Sequence, residues 1–242
     1  MLKKLIPNLL TGLNLLLGCI GITLVFSGYM HLAALLILMS ALLDYLDGLA
    51  AKILNAQSSF GKEFDSLADI VSFGVLPASI VFVYLSENFC KECPGSSELL
   101  AYFAYLIALF SAIRLAKFNT EDSGKSYFTG LPTPANAIFI ASIPLILKYG
   151  IINHYLYSFA VSLVSSYEAL LVLTIISSAM LVIPLPMLSL KFKSYGWITN
   201  RLKYIIILFA VLAFITYGLM AIPVIIIFYI FLSLLNLIFK IN

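Results

Sequence analysis

Long apolar segments restrict the fold of this chain more than any other feature of its sequence. A helix that crosses a bilayer needs about 20 consecutive, mostly apolar residues. Such segments are predicted at residues 8–28, 31–54, 63–86, 98–118, 131–149, 165–185, 203–220 and 221–239. The chain is 62% apolar and 10% charged, whereas soluble domains average about 45–50% and about 25%. The sequence therefore predicts an all-α integral membrane protein, a polytopic bundle of about eight transmembrane helices.

The rest of the sequence favours one compact domain. There is no convincing internal repeat, low-complexity run or Gly/Ser linker, so residues 1–242 are predicted to form a single membrane domain. Residues 151–164 are apolar but short, and an interfacial piece is expected there. Cys90 and Cys93 form one Cys-x-x-Cys pair. Because zinc sites normally have four ligands, we interpret this pair as incidental to function.

Basic residues are distributed unequally between the two ends of the predicted bundle. With an even number of spans both termini lie on one side, and only Lys91 and Lys148 fall on the other. The basic residues on the side of the termini are Lys3, Lys4, Lys52, Lys62, Arg114, Lys117, Lys125, Lys191, Lys193, Arg201, Lys203 and Lys240. Since cytoplasmic loops are rich in Lys and Arg, we expect this side to be cytoplasmic at the cell membrane. The net charge of +3 is too small and scattered to indicate nucleic acid binding.

Four aspartates lie inside or beside the second and third apolar segments. They are Asp44, Asp47, Asp65 and Asp69, out of eleven acidic residues in the chain. Carboxylates inside apolar segments are costly and usually functional. At 1.5 Å per residue the second helix crosses ~30 Å of hydrocarbon by about residue 51, and the third begins at the same boundary. The two pairs therefore reach similar depth, and spacings of three and four residues place each pair on one helix face.

Carboxylates at such close range repel one another, and divalent cations remove that repulsion. An all-oxygen ligand set suits Mg²⁺, Mn²⁺ or Ca²⁺ rather than zinc. Four anionic ligands could hold two ions, an arrangement that clamps the attacking and leaving oxygens in displacement at phosphorus. Gly48, Gly61 and Ala51 are small and leave space beside the carboxylates. We therefore predict two divalent ions, Mg²⁺ or Mn²⁺, with Ca²⁺ as an alternative occupant.

Residues 44–69 resemble the signature of the CDP-alcohol phosphotransferase family, D-x2-D-G-x2-A-R-x8-G-x3-D-x3-D. The chain matches it at every fixed position except Lys52, where the family pattern has arginine. A lysine keeps the positive charge but loses the bidentate fork. Further segments are similar to the phosphatidylserine synthase branch of that family, namely residues 6–14, 65–78, 114–119 and 127–137. The last hundred residues carry no such motif, although two extra spans at about 203–239, beyond a six-helix core, are similar to that branch.

The resemblance implies an activity and a set of site residues. It implies a homodimer that transfers the phosphatidyl group of CDP-diacylglycerol to the hydroxyl of L-serine, giving phosphatidylserine and CMP. It implies Asp44, Asp47 and Asp65 as main metal ligands, with Asp69 near the second ion and acting as general base. The residues expected along the nucleotide and its phosphates are Asn8, Thr11, Gly48, Ala51, Lys52 and Gly61.

A serine substrate also needs a partner for its carboxylate. Arg114 and Lys117 are three residues apart at the end of the predicted fourth helix, and guanidinium suits carboxylate or phosphate. The alternative is that these side chains reach out to lipid headgroups. Thr133 and Asn136, at the start of the predicted fifth helix, are candidates for further hydrogen bonds.

Three alternatives remain open at this point. Archaetidylserine synthesis would use the same chemistry on the ether lipid CDP-archaeol. Another acceptor, glycerol phosphate or inositol phosphate, would require several clustered basic residues, of which only Arg114 and Lys117 are well placed. A cation transporter would place its acids near the membrane midplane within repeated halves, whereas this chain has one off-centre cluster.

Overall fold

The computed structural model describes residues 2–92, 98–120, 128–150, 154–188 and 196–239, and nearly all of them are helical. The α-helices are α1 (Leu2–Phe26), α2 (Met30–Ile53), α3 (Ser59–Asp69), α4 (Leu76–Glu92), α5 (Leu106–Thr120), α6 (Thr133–Tyr149), α7 (His154–Ser165), α8 (Tyr167–Val182), α9 (Trp197–Tyr217) and α10 (Ile222–Phe239). The predicted all-α fold is confirmed. Cys93 and the side chain of Cys90 lie outside the described part of the chain.

Several helices are long and apolar enough to cross a membrane. In the described residues these are Lys4–Phe26, Met30–Ile53, Ser59–Glu87, Leu99–Thr120 and Asn200–Leu237. The pair α7 and α8 adds a sixth candidate if it counts as one broken span, and α6 is a shorter apolar helix. The protein is therefore a multi-pass membrane protein, in agreement with the apolar pattern of its sequence.

The stretch from Asn200 to Leu237 contains the last two predicted spans. Gly218, with φ of +57°, follows the end of α9. The rings of Phe209 and Phe228 stack with their centroids 4.0 Å apart, whereas a continuous helix would separate these residues by about 28 Å. Helices α9 and α10 therefore turn back on each other as a hairpin.

Two predicted segments differ in detail from the structure. The predicted helix at 63–86 begins earlier, at Ser59, and its middle forms a π-helical segment, Ile70–Val75, between α3 and α4. Residues 151–164 were expected as an interfacial piece, and α7 lies in this region, at 96° to α8. The side chain of Ser166 caps α8 by accepting a hydrogen bond from the N–H of Ala169 at 3.2 Å, so the chain changes direction there.

The main core lies where α1, α2, α4 and α6 meet the π-helical segment. Phe73, Ile37 and Leu76 are among its fully buried side chains. Gly18 faces Ser72 so closely that a Cβ atom at this position would collide with the Ser72 hydroxyl. This close approach holds α1 against the segment that follows the acidic residues of α3.

A short β-ladder joins the start of α6 to the end of α8. Phe128–Thr129 (β1) pairs antiparallel with Pro186–Met187 (β2). Gly130 adopts φ of +78°, and the N–H of Leu131 donates to the carbonyl of Met180 at 2.8 Å. The sequence analysis did not anticipate this ladder, because two-residue strands carry no detectable periodicity.

Helix α10 packs against the same ladder. The hydroxyl of Tyr229 donates to the carbonyl of Leu188 at 2.9 Å, and the N–H of Leu188 donates to Ser233 Oγ at 3.3 Å. Leu131, Met187, Ile206, Tyr229 and Leu232 form a second, smaller apolar cluster here. The C-terminal hairpin is therefore fastened to the turn that leads into α6.

Candidate metal and active site

The acidic residues are brought together by the tight connection between α2 and α3. Asn55 takes a positive φ of 49° in this connection. Ser58 caps α3, and its hydroxyl accepts a hydrogen bond from the N–H of Gly61 at 3.0 Å. After this turn α3 packs on α1, which also packs on α2, and carboxylates of α2 and α3 converge beside α1.

Three of the four predicted aspartates form a triad. One carboxylate oxygen from each of Asp44, Asp47 and Asp65 lies within 4.8 Å of the other two. Oxygens on opposite sides of a bound ion are about 4.0–4.2 Å apart for Mg²⁺ and about 4.6–5.2 Å apart for Ca²⁺. Oδ1 of Asp65 is buried without a hydrogen-bond partner. A divalent cation would satisfy that oxygen, so the residues present fit the predicted metal site.

Asp47 is held by a hydrogen bond from α1. The hydroxyl of Thr11, which is buried, lies 2.6 Å from Asp47 Oδ2 and donates to it. This bond fixes the orientation of one carboxylate of the triad. Thr11, predicted from the sequence for the nucleotide site, therefore touches the metal site directly.

Asp69 lies beside the triad and is bound by a residue that the sequence analysis did not select. Asn14 is fully buried in α1 and donates from Nδ2 to Asp69 Oδ1 at 3.3 Å. The carbonyl of Asn14 in turn accepts a hydrogen bond from Ser72 Oγ at 2.9 Å. One signal could have identified Asn14, because Pro7, Thr11 and Asn14 follow the spacing of a single helix face.

A polar cleft of about 570 Å³ opens beside the triad. Five of the six residues predicted for the nucleotide and its phosphates line it, namely Asn8, Thr11, Gly48, Ala51 and Gly61. Lys52 is exposed and is not among the lining residues. The turn between α2 and α3 adds Gln57, Ser58 and Ser59, which the sequence analysis did not select.

Lys62, which also lines the cleft, is tied to α5. Its Nζ donates to the carbonyl of Asn119 at 3.1 Å, and Nδ2 of Asn119 donates to Ser66 Oγ at 2.8 Å. These two bonds fasten α3 to the end of α5. The position of the acidic helix therefore depends on both α1 and α5.

Arg114 is a buried cation near the acidic cluster. It is 9% exposed, and one guanidinium nitrogen donates to Thr133 Oγ1 at 3.2 Å. Its Nε is buried without a hydrogen-bond partner. Asp69 and Tyr229 are its electrostatic neighbours. A buried arginine with an unused donor beside a carboxylate is well suited to bind an anionic substrate group.

The other two candidates for serine binding differ in their surroundings. Lys117 is exposed and lines a small crevice together with Arg114, Phe118, Leu181 and Val182. Asn136 is buried one turn after Thr133, and neither of its amide atoms has a hydrogen-bond partner. The structure therefore places Arg114 in contact with Thr133 and beside the same crevice as exposed Lys117, whereas Asn136 lies further along α6.

Comparisons with known proteins find one family model and several curated relatives. The family model of CDP-alcohol phosphatidyltransferases matches residues 4–233. A CDP-diacylglycerol–serine O-phosphatidyltransferase of Helicobacter pylori is 41% identical over 138 residues, covering 56% of this chain and 55% of that protein. The enzyme of the same name from Bacillus subtilis is 36% identical over 129 residues, covering 53% of this chain and 69% of that protein.

A relative from an archaeon matches a longer stretch. An archaetidylserine synthase of Methanothermobacter thermautotrophicus is 34% identical over 168 residues, which cover 67% of this chain and 68% of that protein. By contrast, the chain spans only about half the length of the Helicobacter pylori relative.

Proposed function

The chain belongs to the CDP-alcohol phosphatidyltransferase family, and from this premise we propose that it transfers the phosphatidyl group of CDP-diacylglycerol to L-serine. The products would be phosphatidylserine and CMP. The observation that carries the proposal is the triad of Asp44, Asp47 and Asp65 beside a polar cleft, with Asp69 and buried Arg114 next to it. The names of the bacterial relatives support serine as the acceptor.

Two divalent ions, Mg²⁺ or Mn²⁺, are proposed as cofactors. Asp44, Asp47 and Asp65 would be the main ligands, with Asp69 near the second ion. When bound, such ions neutralise the pyrophosphate and stabilise the departing CMP. Thr11 would keep Asp47 oriented for this task through its 2.6 Å hydrogen bond.

Asp69 is proposed as the general base. The serine hydroxyl attacks the phosphorus that carries the lipid, a new P–O bond forms, and the bond from that phosphorus to the CMP oxygen breaks. Because a hydroxyl is a poor nucleophile at neutral pH, a carboxylate within hydrogen-bond reach must accept its proton. Asp69 suits this role since Asn14 holds one of its oxygens in place. The other oxygen would then take up the proton.

The nucleotide is proposed to lie in the polar cleft. Gly48, Ala51 and Gly61 carry little or no side chain, so the cytidine and its phosphates could approach the backbone of α2 and α3. Asn8 and Thr11 would line its edge from α1. Lys52, at the exposed end of α2, would supply positive charge from the solvent side of the phosphates.

Serine is proposed to bind between Asp69 and Arg114. The guanidinium of Arg114 would pair with the serine carboxylate, and Thr133 would keep the guanidinium oriented. Exposed Lys117 would add positive charge at the entrance. With one buried arginine near the acidic cluster, the site suits a single carboxylate better than an acceptor that carries a phosphate group.

The proposed location is the cell membrane, with the termini and the active site on the cytoplasmic side. The support is the spacing of the predicted spans in the sequence, which assigns most basic residues to that end, and the positive-inside bias. The lipid substrate would remain in the bilayer while its headgroup reaches the acidic cluster. A homodimer is proposed as the assembled form, by analogy with the family that the sequence resembles.

The decisive experiment is an acceptor panel. Purified protein would receive CDP-diacylglycerol and Mg²⁺ or Mn²⁺, together with serine, glycerol 3-phosphate or inositol phosphate, and CMP release would be followed. We expect release with serine and none after chelation with EDTA. Release with a phosphorylated acceptor alone would overturn the serine assignment.

Archaetidylserine synthesis is a second candidate, since the archaeal relative covers two thirds of this chain. The same assay with CDP-archaeol in place of CDP-diacylglycerol decides between them. A strong preference for the ether lipid at equal concentration would favour the second candidate. Comparable rates with both lipids would show that the reacting headgroup, and not the tail linkage, is selected.

A further inference from the structure

The polar cleft beside the acidic triad contains a basic side chain. Among the described residues that line the cleft, Lys62 on α3 is the only lysine or arginine, whereas Asp47 and Asp65 supply negative charge. When divalent ions neutralise the carboxylates, the phosphates of a CDP-lipid still bring negative charge into the cleft. A cation in the wall balances that charge, and Lys62 is the one that the cleft itself offers.

The lysine at the signature position lies elsewhere. Lys52 is exposed near the end of α2 and is not among the residues that line the cleft. Lysine also lacks the planar fork with which an arginine binds phosphate through two hydrogen bonds. The basic side chain in the cleft therefore comes from the first turn of α3 and not from the signature position on α2.

The first turn of α3 presents positive charge to the cleft in two ways. Nζ of Lys62 donates to the carbonyl of Asn119 at 3.1 Å, and an ammonium group can donate more than one hydrogen bond. Ser59 and Gly61, from the same turn, also line the cleft, and the N-terminal end of a helix carries partial positive charge. The Lys62 side chain and the helix end therefore favour an anion in the same space.

The position of Lys62 along α3 indicates which phosphate it can reach. Lys62 and Asp69 lie seven residues apart on this helix, which corresponds to about 10 Å along its axis. In the proposed reaction Asp69 accepts the proton of the hydroxyl that attacks the lipid-linked phosphorus. Because the attacking and leaving oxygens lie roughly in line on opposite sides of that phosphorus, the leaving phosphate lies toward the cleft and Lys62.

We propose that Lys62 binds the phosphate that leaves with CMP. The proposal rests on the proposed function and adds a contact from a position that the family signature leaves variable. When the bond between the lipid-linked phosphorus and the bridging oxygen breaks, its electron pair stays on that oxygen. Negative charge therefore grows on the phosphate of CMP, and the ammonium group of Lys62 neutralises part of it.

The test is calorimetric binding of CMP to the purified full chain in detergent with Mn²⁺. For Lys62→Gln the Kd for CMP should rise about tenfold, the lower end for a hydrogen bond to a charged group, because this side chain is exposed. Lys62→Arg keeps the positive charge and should change the Kd by less than about threefold. Lys148→Gln, at an exposed lysine in the last turn of α6, is the matched control and should bind CMP normally. Unchanged CMP affinity in Lys62→Gln would overturn the proposal.

A second readout separates phosphate binding from a purely structural role of Lys62. Its bond to Asn119 helps to fasten α3 to α5, so its loss could also displace Asp65. Mn²⁺ affinity without nucleotide should not fall in Lys62→Gln, since removal of a nearby positive charge favours a cation. The Kd for CMP should also depend less on salt than in the unaltered chain. A fall in Mn²⁺ affinity, or an unchanged salt dependence, would mean that Lys62 only holds α3 in place.

These measurements also separate this proposal from the proposed function. CMP binding needs neither serine nor turnover, so a chain that releases no CMP with any acceptor would contradict the proposed function and still report on Lys62. Absence of CMP binding to the unaltered chain would count against the role of Lys62. Release of CMP with serine would then still decide the proposed function.

Discussion

The two cavities of this protein have nearly the same volume and opposite chemistry. The cleft between α1, α2 and α3 is lined by carboxylates, hydroxyls and small residues, whereas the cavity between α6, α8 and α10 is lined by aliphatic and aromatic side chains. Arg114 and Thr133, which are hydrogen-bonded to each other, line neither of them. The comparison shows that polar and charged groups are concentrated at the cleft between α1, α2 and α3, whereas the cavity between α6, α8 and α10 offers almost entirely apolar surface.

The largest effect is expected from loss of a triad carboxylate. Asp65→Asn removes a negative charge from three carboxylates that share one site, and Mn²⁺ binding and CMP release should both fall below detection. Glu63→Gln, an exposed acid on the same helix, is the matched control and should keep both. Mn²⁺ titration by electron paramagnetic resonance measures the binding. Full Mn²⁺ affinity in Asp65→Asn would show that the triad is not the metal site of the polar cleft.

The next effect separates the base from the metal ligands. Asp69→Asn should lower kcat by about 10²–10⁴-fold, the usual contribution of a general base, because an amide cannot accept the serine proton. Mn²⁺ should still bind, since the triad of Asp44, Asp47 and Asp65 is intact. Single-turnover measurement of CMP release, with the Mn²⁺ titration alongside, checks both parts. Retained turnover would exclude Asp69 as base and leave the metal site unaffected.

A smaller effect is expected at Arg114, the buried cation beside Asp69. Arg114→Gln should raise the KM for serine by about 10–100-fold, because a hydrogen bond to a charged group contributes about 1.5–3 kcal/mol. The KM for CDP-diacylglycerol should change much less. Arg201→Gln, at the other arginine of the chain and exposed on α9, serves as control. An equal rise in both KM values would show that Arg114 binds the shared phosphate and not the acceptor.

The smallest effect is expected from loss of a hydrogen bond that holds α10 against the end of β2. Tyr229→Phe removes the 2.9 Å hydrogen bond to the carbonyl of Leu188, and a loss of about 1 kcal/mol in the free energy of unfolding is expected. The KM for serine should rise only a few-fold, through a less rigid turn before Thr133. Thermal unfolding in detergent, compared with exposed Tyr217→Phe, measures the change. A fall in kcat as large as that of Asp69→Asn would mean that Tyr229 touches the reacting groups.

The acidic residues of the candidate metal site could be predicted from the sequence. Asp44, Asp47 and Asp65 stand out because charged residues are rare in apolar segments, and helical spacing alone predicts which of them share a face. Asn14 did not stand out, since a single amide in an apolar helix has no partner that the sequence reveals. Its role depends on Asp69, which lies 55 residues away and meets it only after α1 packs on α3.

The arrangement of the helices around the apolar cavity depends on contacts between distant segments of the chain. The pairing of Phe128 with Met187 and the contact of Tyr229 with Leu188 join residues about 40 to 60 positions apart. Neither has a local signature, because a two-residue strand has no detectable periodicity and a single tyrosine does not indicate its partner. The apolar cavity follows from these contacts, since they set the distance of α10 from α6 and α8.

Local rules thus account for the helices, their membrane character and the chemistry of the acidic stretch, because hydrophobic length and helical spacing act over a few neighbouring residues. The packing of distant helices decided which side chains share a site. It brought Asn14 into hydrogen-bond contact with Asp69, and Arg114 with Thr133. It also buried the side chain of Asn136 without a hydrogen-bond partner. Contacts of this kind depend on the relative positions of whole helices, which no single segment encodes.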